Sequence, residues 1–365
     1  MNRLLPLCIM RAMRQLVTPV SRRDIRMMMP VSAHLLLMAG LCLITLSAFA
    51  QSTQSEPDRG VWRTAAPAPT KRTEVAAVTL HDKIYVVGGF EQPSLSNLMN
   101  LSITASVEAY DPAVDRWTTK APMPIGLHHA GIGVVGGRLY VIGGYRQSGL
   151  SIWNPVATVY AYDPATDSWD ERAPMPTARG ALSVTEHEGK LYAIGGYDGN
   201  ANSAAVEVYD PESNTWDSRA PVPTARDHLA TAAVSGKVYA IGGRLSGDYR
   251  RNLSVTEMYD PVGDRWTRVA DLPTARSGIT AAEVGGRVYV FGGEGEKGTF
   301  RENEAYDPAQ DAWQTMAPLP TGRHGLGSAV VQGVIHIIGG GPTPGGSFSN
   351  LNEVFTPAGA RKGTS

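Results

Sequence analysis

Cysteine is almost missing from this chain. Only Cys8 and Cys42 occur, and both fall within the first fifty residues. That segment reads as a leader rather than as part of a fold. Arg3, Arg11, Arg14, Arg22, Arg23 and Arg26 precede an apolar run from Ala33 to Phe49, and Ala48-Phe49-Ala50 has the small-x-small form of a secretory cleavage site. About 17 mostly apolar residues suit a signal sequence better than a membrane span. The expectation is export to the periplasm or beyond, with cleavage after Ala50, no span in the mature chain, a short linker over 51–60 and a tail over 358–365. A mature chain without cysteine has neither a disulfide framework nor a thiol nucleophile.

An excess of positive charge is also absent. Without the leader's six arginines and Asp24, residues 51–365 carry 27 basic and 33 acidic side chains, a net charge near −6. That balance excludes the electrostatic footprint of a nucleic-acid binder or of a protein held on anionic lipid.

What the chain has in quantity is repetition. IYVVGG, LYVIGG, LYAIGG, VYAIGG, VYVFGG and IHIIGG end at Gly89, Gly144, Gly196, Gly243, Gly293 and Gly340. Trp62, Trp117, Trp169, Trp216, Trp266 and Trp313 each lie 26 positions before the first glycine of a pair, whereas the distance from that glycine to the next tryptophan runs 29, 26, 21, 24 and 21. One half of the repeat is rigid in length because a one-residue insertion in a paired strand turns its apolar set outward. The other half must be exposed loop, where extra residues cost little. A further strand ends at Tyr110, Tyr162, Tyr209, Tyr259, Tyr306 or Phe355, and Asp-Pro after the first five marks a turn. Each repeat therefore holds four short strands, here called A to D: A after P-x-P-T-x-R, B ending in Gly-Gly, C ending in the aromatic, and D carrying tryptophan.

Period, double glycine and the registered Tyr and Trp resemble the kelch motif over 61–357. The resemblance implies an all-β fold, a six-bladed β-propeller of four-stranded blades. Trp62 has no C strand before it, and Phe355 has no tryptophan after it. The N-terminal strand around Trp62 is therefore expected to pair with the strand at 352–357 and close the ring, hiding two edges. His336 stands where the other repeats have tyrosine and reads as a packed replacement.

Three sets of residues carry possible chemistry. Ten positions after each tryptophan come Arg72, Leu127, Arg179, Arg226, Arg276 and Arg323. The five arginines suit either a clamp for an anionic ligand at the channel mouth, which the resemblance favours, or structural pairing with Glu108, Glu207, Glu257, Glu304 and Glu353, two places before each C-strand aromatic. His128, Asp227 and His324 recur in alternate repeats and would form a two-His-one-carboxylate set if they faced the axis. Strand parity, judged from the small residues expected along the channel, turns them between strands instead, so no metal and no cofactor are expected. Trp153 alone lies outside the tryptophan register, in a variable loop, and is a candidate ligand platform.

The resemblance leaves two functions open. One is an exported binding module that recognises a protein, peptide or glycan through its variable loop face. The other is a periplasmic sugar isomerase similar to sialic-acid mutarotases, with Glu74, His129 or His228 as acid or base. Galactose-oxidase-like copper chemistry needs a cysteine joined to tyrosine and is closed to a mature chain without one.

Overall fold

The computed structural model describes residues 58–94 and 102–359. The expected leader, most of the linker and most of the tail lie outside the described residues. The fold is a β-propeller of six four-stranded antiparallel sheets. Among the described residues there is no helix long and apolar enough to cross a membrane.

Blade 1 runs Ala76–Leu80, Lys83–Val87, Val107–Asp111 and Arg116–Lys120, from the axis outward. The inner strands of blades 2 to 5 are Gly131–Val135, Ser183–His187, Ala230–Val234 and Thr280–Val284. Blade 6 is composite: Gly327–Val331, Val334–Ile338 and Asn352–Thr356 are completed by Val61–Thr64, with Trp62 opposite Phe355. Closure takes place as the repeat arithmetic requires.

The conserved spacing within each repeat serves contacts between blades. Each hydrophobic cluster is shared by neighbours; one joins Tyr85, Val87 and Val107 of blade 1 to Leu139, Val141 and Tyr162 of blade 2. The B-strand aromatic of one blade meets the C-strand aromatic of the next, as in Tyr85 with Tyr162 at 5.7 Å and Tyr239 with Tyr306 at 5.4 Å between ring centroids. His336 makes the same contact to Tyr110 at 5.5 Å, so it replaces tyrosine in packing. Every registered tryptophan donates its indole N–H to an alanine carbonyl one blade back. Trp62 does so to Ala317 at 2.9 Å, which fastens the joint as any other boundary is fastened.

The glycine pair belongs to the same joints. The first glycine has φ between 57° and 65° and the second between 87° and 113°, the left-handed region that disfavours side chains. A Cβ at Gly195 would lie 2.7 Å from the Arg226 carbonyl of the next blade, and the N–H of Gly196 donates to that same carbonyl at 2.9 Å. Strand B ends on two glycines because its neighbour's backbone passes directly against it.

Candidate functional site

The recurring arginines come first, because the structure corrects the clamp reading. Arg72, Arg179, Arg226, Arg276 and Arg323 are at most 1 % exposed. Each lies within its own blade and pairs with the glutamate of strand C: Arg72 with Glu108 at 2.7 Å, Arg226 with Glu257 at 2.5 Å, Arg323 with Glu353 at 2.7 Å, Arg179 with Glu207 and Arg276 with Glu304. The guanidinium also donates to strand B carbonyls, as Arg226 does to Gly242 and Ala240 at 2.8 Å each. The threonine of P-x-P-T-x-R bonds the second glutamate oxygen, for instance Thr224 at 2.8 Å. Buried and turned into its own blade, this guanidinium is closed to a ligand at the channel mouth. Blade 2 replaces both partners together: Leu127 stands for the arginine, Tyr160 for the glutamate, and the two share one apolar cluster.

The chemistry lies two residues further on. Glu74, His129, Ala181, His228, Gly278 and Gly325 occupy one equivalent position per blade, where strand A begins, and all six have φ between 52° and 64°. Their backbones form a hydrogen-bonded ring around the axis. Ala181 N–H donates to His129 O at 2.9 Å, His228 to Ala181 at 2.9 Å, Gly278 to His228 at 3.1 Å, Gly325 to Gly278 at 3.0 Å and His129 to Glu74 at 3.4 Å; Val75 N–H to Gly325 O at 3.3 Å completes it. A left-handed conformation costs a non-glycine residue about 1–2 kcal/mol. Two blades avoid this with glycine, one bears it with alanine, and three place a carboxylate or an imidazole there instead. Strain of this kind gathers at functional positions. The ring caps one end of a central channel of about 500 Å³ lined by the inner strands.

The three candidate acid and base residues meet at this ring. Glu74 Oε2 is 3.1 Å from His129 Nε2, and the rings of His129 and His228 are 4.8 Å apart. Gly325 makes room for the carboxylate, since a Cβ there would lie 2.5 Å from Glu74 Cδ. Burial lowers the pKa of His129 well below the ordinary histidine value, and the nearby His128 and His228 lower it further. Burial raises the Asp227 pKa, but the hydrogen bonds from His228 and Gly247 and the Arg244 guanidinium together hold the carboxyl below its usual range.

His128, Asp227 and His324 do not form a ligand set; each instead orients a residue of the axial group. His128 Nδ1 meets His129 Nδ1 at 2.6 Å, Asp227 Oδ1 accepts from His228 Nδ1 at 2.6 Å, and His324 Nε2 faces Glu74 Oε1 at 3.5 Å. Burial lowers the His128 pKa to about 4. Two participants escaped the sequence reading. Arg244 donates to His228 Nε2 at 2.7 Å and to Glu294 Oε1 at 2.6 Å, and it pairs with Asp227 at 3.3 Å. Arg244 and Glu294 each follow a glycine pair directly, in register with Phe90, Tyr145, Tyr197 and Gly341. That position of changing chemistry beside a fixed pair was the available signal.

Trp153 does join the site. It lies on a hairpin, Tyr145–Ser148 with Ser151–Pro155, that rises beside the ring. Its indole packs 5.1 Å from His128, 5.4 Å from His129 and 6.5 Å from Phe90 of the first repeat. It remains 52 % exposed, and Leu150 at the hairpin tip is 94 % exposed.

Comparison with known proteins agrees with this architecture. The KLHDC2/KLHL20/DRC7 Kelch-repeats domain matches residues 57–243 and 182–356. Kelch-like protein terF of Aspergillus terreus is 32% identical over 43% of this chain and 35% of its own length. Human Kelch repeat and BTB domain-containing protein 12 is 30% identical over 39% of this chain and 24% of its own. The chain thus spans about a third or less of those relatives. A solved structure titled "Structure of YjhT" superposes with a TM-score of 0.68 over 79% of this chain and 96% of that one, at 19% identity, a likeness of fold. On its six registered repeats and this match, the chain belongs to the kelch-repeat family.

Proposed function

We propose that this propeller is an exported protein-recognition module whose contact surface is the loop face around the capped end of the channel. The observation that carries the reading is the hairpin bearing Leu150 and Trp153. Among the described residues, the other strongly exposed large apolar side chains, Val61, Val114 and Val262, do not lie on it. Val114 and Val262 are in turns between strands C and D, at the opposite face. An aliphatic side chain left in water beside a half-exposed indole offers the anchors that protein interfaces use. Leu150 favours a protein over a glycan, since it presents a sugar with neither a hydrogen bond nor a stacking face. Kelch proteins generally bind proteins, and the family match favours recognition over sugar isomerisation. The buried arginines withdraw the main support for an anionic ligand.

Photo-crosslinking tests this reading. A photoreactive side chain at Leu150 is expected to capture a discrete partner in the cells that make the protein, and the capture should fade when Trp153 becomes alanine. The same probe at Val262, equally exposed at 95 %, should capture nothing specific. A partner caught at Val262 and not at Leu150 would place recognition on the wrong face. For export, the mature protein should begin at Gln51 by intact mass; a mature mass that still includes Cys42 would contradict cleavage there.

A further inference from the structure

Hydrogen-bond partners that can only accept or only donate fix the imidazole protons at the ring. The Ile152 carbonyl, 2.8 Å from His128 Nε2, requires a proton on that nitrogen. His128 Nδ1 then accepts, and the Nδ1–H of His129 must donate to it. His129 Nε2 and Glu74 Oε2 then face each other 3.1 Å apart, a contact that a proton or a cation must bridge. At His228 the Arg244 guanidinium can only donate to Nε2, so Nδ1–H donates to Asp227. Two imidazole nitrogens and a carboxylate oxygen therefore converge at the ring, with His228 Nε2 held by Arg244.

We propose that Glu74, His129 and His228 bind one divalent transition cation, of the zinc or cobalt type, on the propeller axis. Their ligand atoms all lie within 4.8 Å of one another. Ligands of a tetrahedral ion at about 2.0–2.2 Å stand roughly 3.4 Å apart, so side-chain rotation closes the set. Asp227 behind His228 supplies the carboxylate–histidine pairing that orients metal-bound imidazoles, and His128 holds His129 in the same way. Three carboxylates, Glu74, Asp227 and Glu294, stand against Arg244 and against His324, whose Nδ1 faces the Gly341 carbonyl and whose Nε2 faces Glu74 and Glu294, so the group keeps a net negative charge for a cation. Arg244 yields His228 Nε2 to the metal and keeps Asp227 and Glu294. Water from the channel completes the coordination. This ligand set lies at left-handed positions that glycine fills in two other blades.

Cobalt is the probe of choice. The untagged full chain, stripped with chelator and titrated with Co²⁺, is expected to bind one equivalent with the intense visible bands of a four- or five-coordinate site, and Zn²⁺ should displace it. Affinity should fall in Glu74→Gln and in His129→Ala by at least the roughly tenfold to a hundredfold that loss of a mere outer-shell partner costs, and stay unchanged in His81→Ala, which alters an exposed turn at the far end of strand A. Circular dichroism melting establishes that each variant is folded, and the near-isosteric Glu74→Gln retains the packing if His129→Ala does not. Absence of a bound equivalent, equal affinity across the variants, or a thiolate charge-transfer band tracing cobalt to Cys8 or Cys42 would overturn the proposal.

Discussion

A buried arginine with a glutamate at its fork is a poor target for single substitution. Converting Arg226 to Leu leaves Glu257 buried with only Thr224 as a partner. Orphaning one member of such a pair costs about 3–5 kcal/mol. The double change Arg226→Leu with Glu257→Tyr reproduces what blade 2 already contains in Leu127 and Tyr160, and should cost clearly less than the sum of the two singles. Urea unfolding of the four proteins measures this, and additive losses would contradict the pairing. His336 offers a pH test away from the axial group. Burial lowers its pKa to about 4 from an ordinary 6.5, so the folded state prefers the neutral ring. Its contribution is present in full above pH 6.5 and is lost as pH falls toward 4, by up to about 3 kcal/mol. His336→Tyr, which restores the residue of the other five blades, should flatten the stability profile in that window. The sequence made the arginine period plain and named its glutamates. It could not choose between pairing and display, because that choice depends on which way a side chain leaves a strand end.

At the scale of strands and loops, the spacing of 26 between tryptophan and glycine was enough to place every blade. The reason is mechanical. Tryptophan, tyrosine, arginine and glycine pair each touch a neighbouring strand or blade at a fixed point, so none can slide. Gly195→Ala should therefore cost about 2–4 kcal/mol, from its left-handed backbone and from the Arg226 carbonyl in the way. Ala181→Gly should instead stabilise by about 1 kcal/mol, because the ring position is left-handed and its alanine makes no polar contact through its side chain. Thermal melts of both decide whether the ring is strained as described. What the repeats concealed was the meeting of Glu74, His129 and His228. Parity arguments locate a strand's faces, but the ring residues sit just before the strand, where positive φ turns the side chains by a rule that strand alternation does not contain. Arg244 and Glu294 were hidden for a related reason: they lie where strand B has ended and loop geometry takes over.

For the whole molecule, the division of labour follows repetition. Side chains that recur in register hold the ring closed, and those that break the register, among them Trp153, Leu150, Arg244, Glu294 and the three residues at the ring, make one end unlike the other. The measurement that bears most directly on this is the yield of crosslinked partner per folded molecule, from a probe placed at Asn154, in Arg276→Met beside Leu150→Asp. The arginine variant should melt markedly lower yet, while folded, capture the partner at the unsubstituted level. The leucine variant should melt as the parent does and lose the partner. An arginine variant that keeps its melting temperature and loses the partner would return Arg276 to the role of ligand clamp and contradict the account.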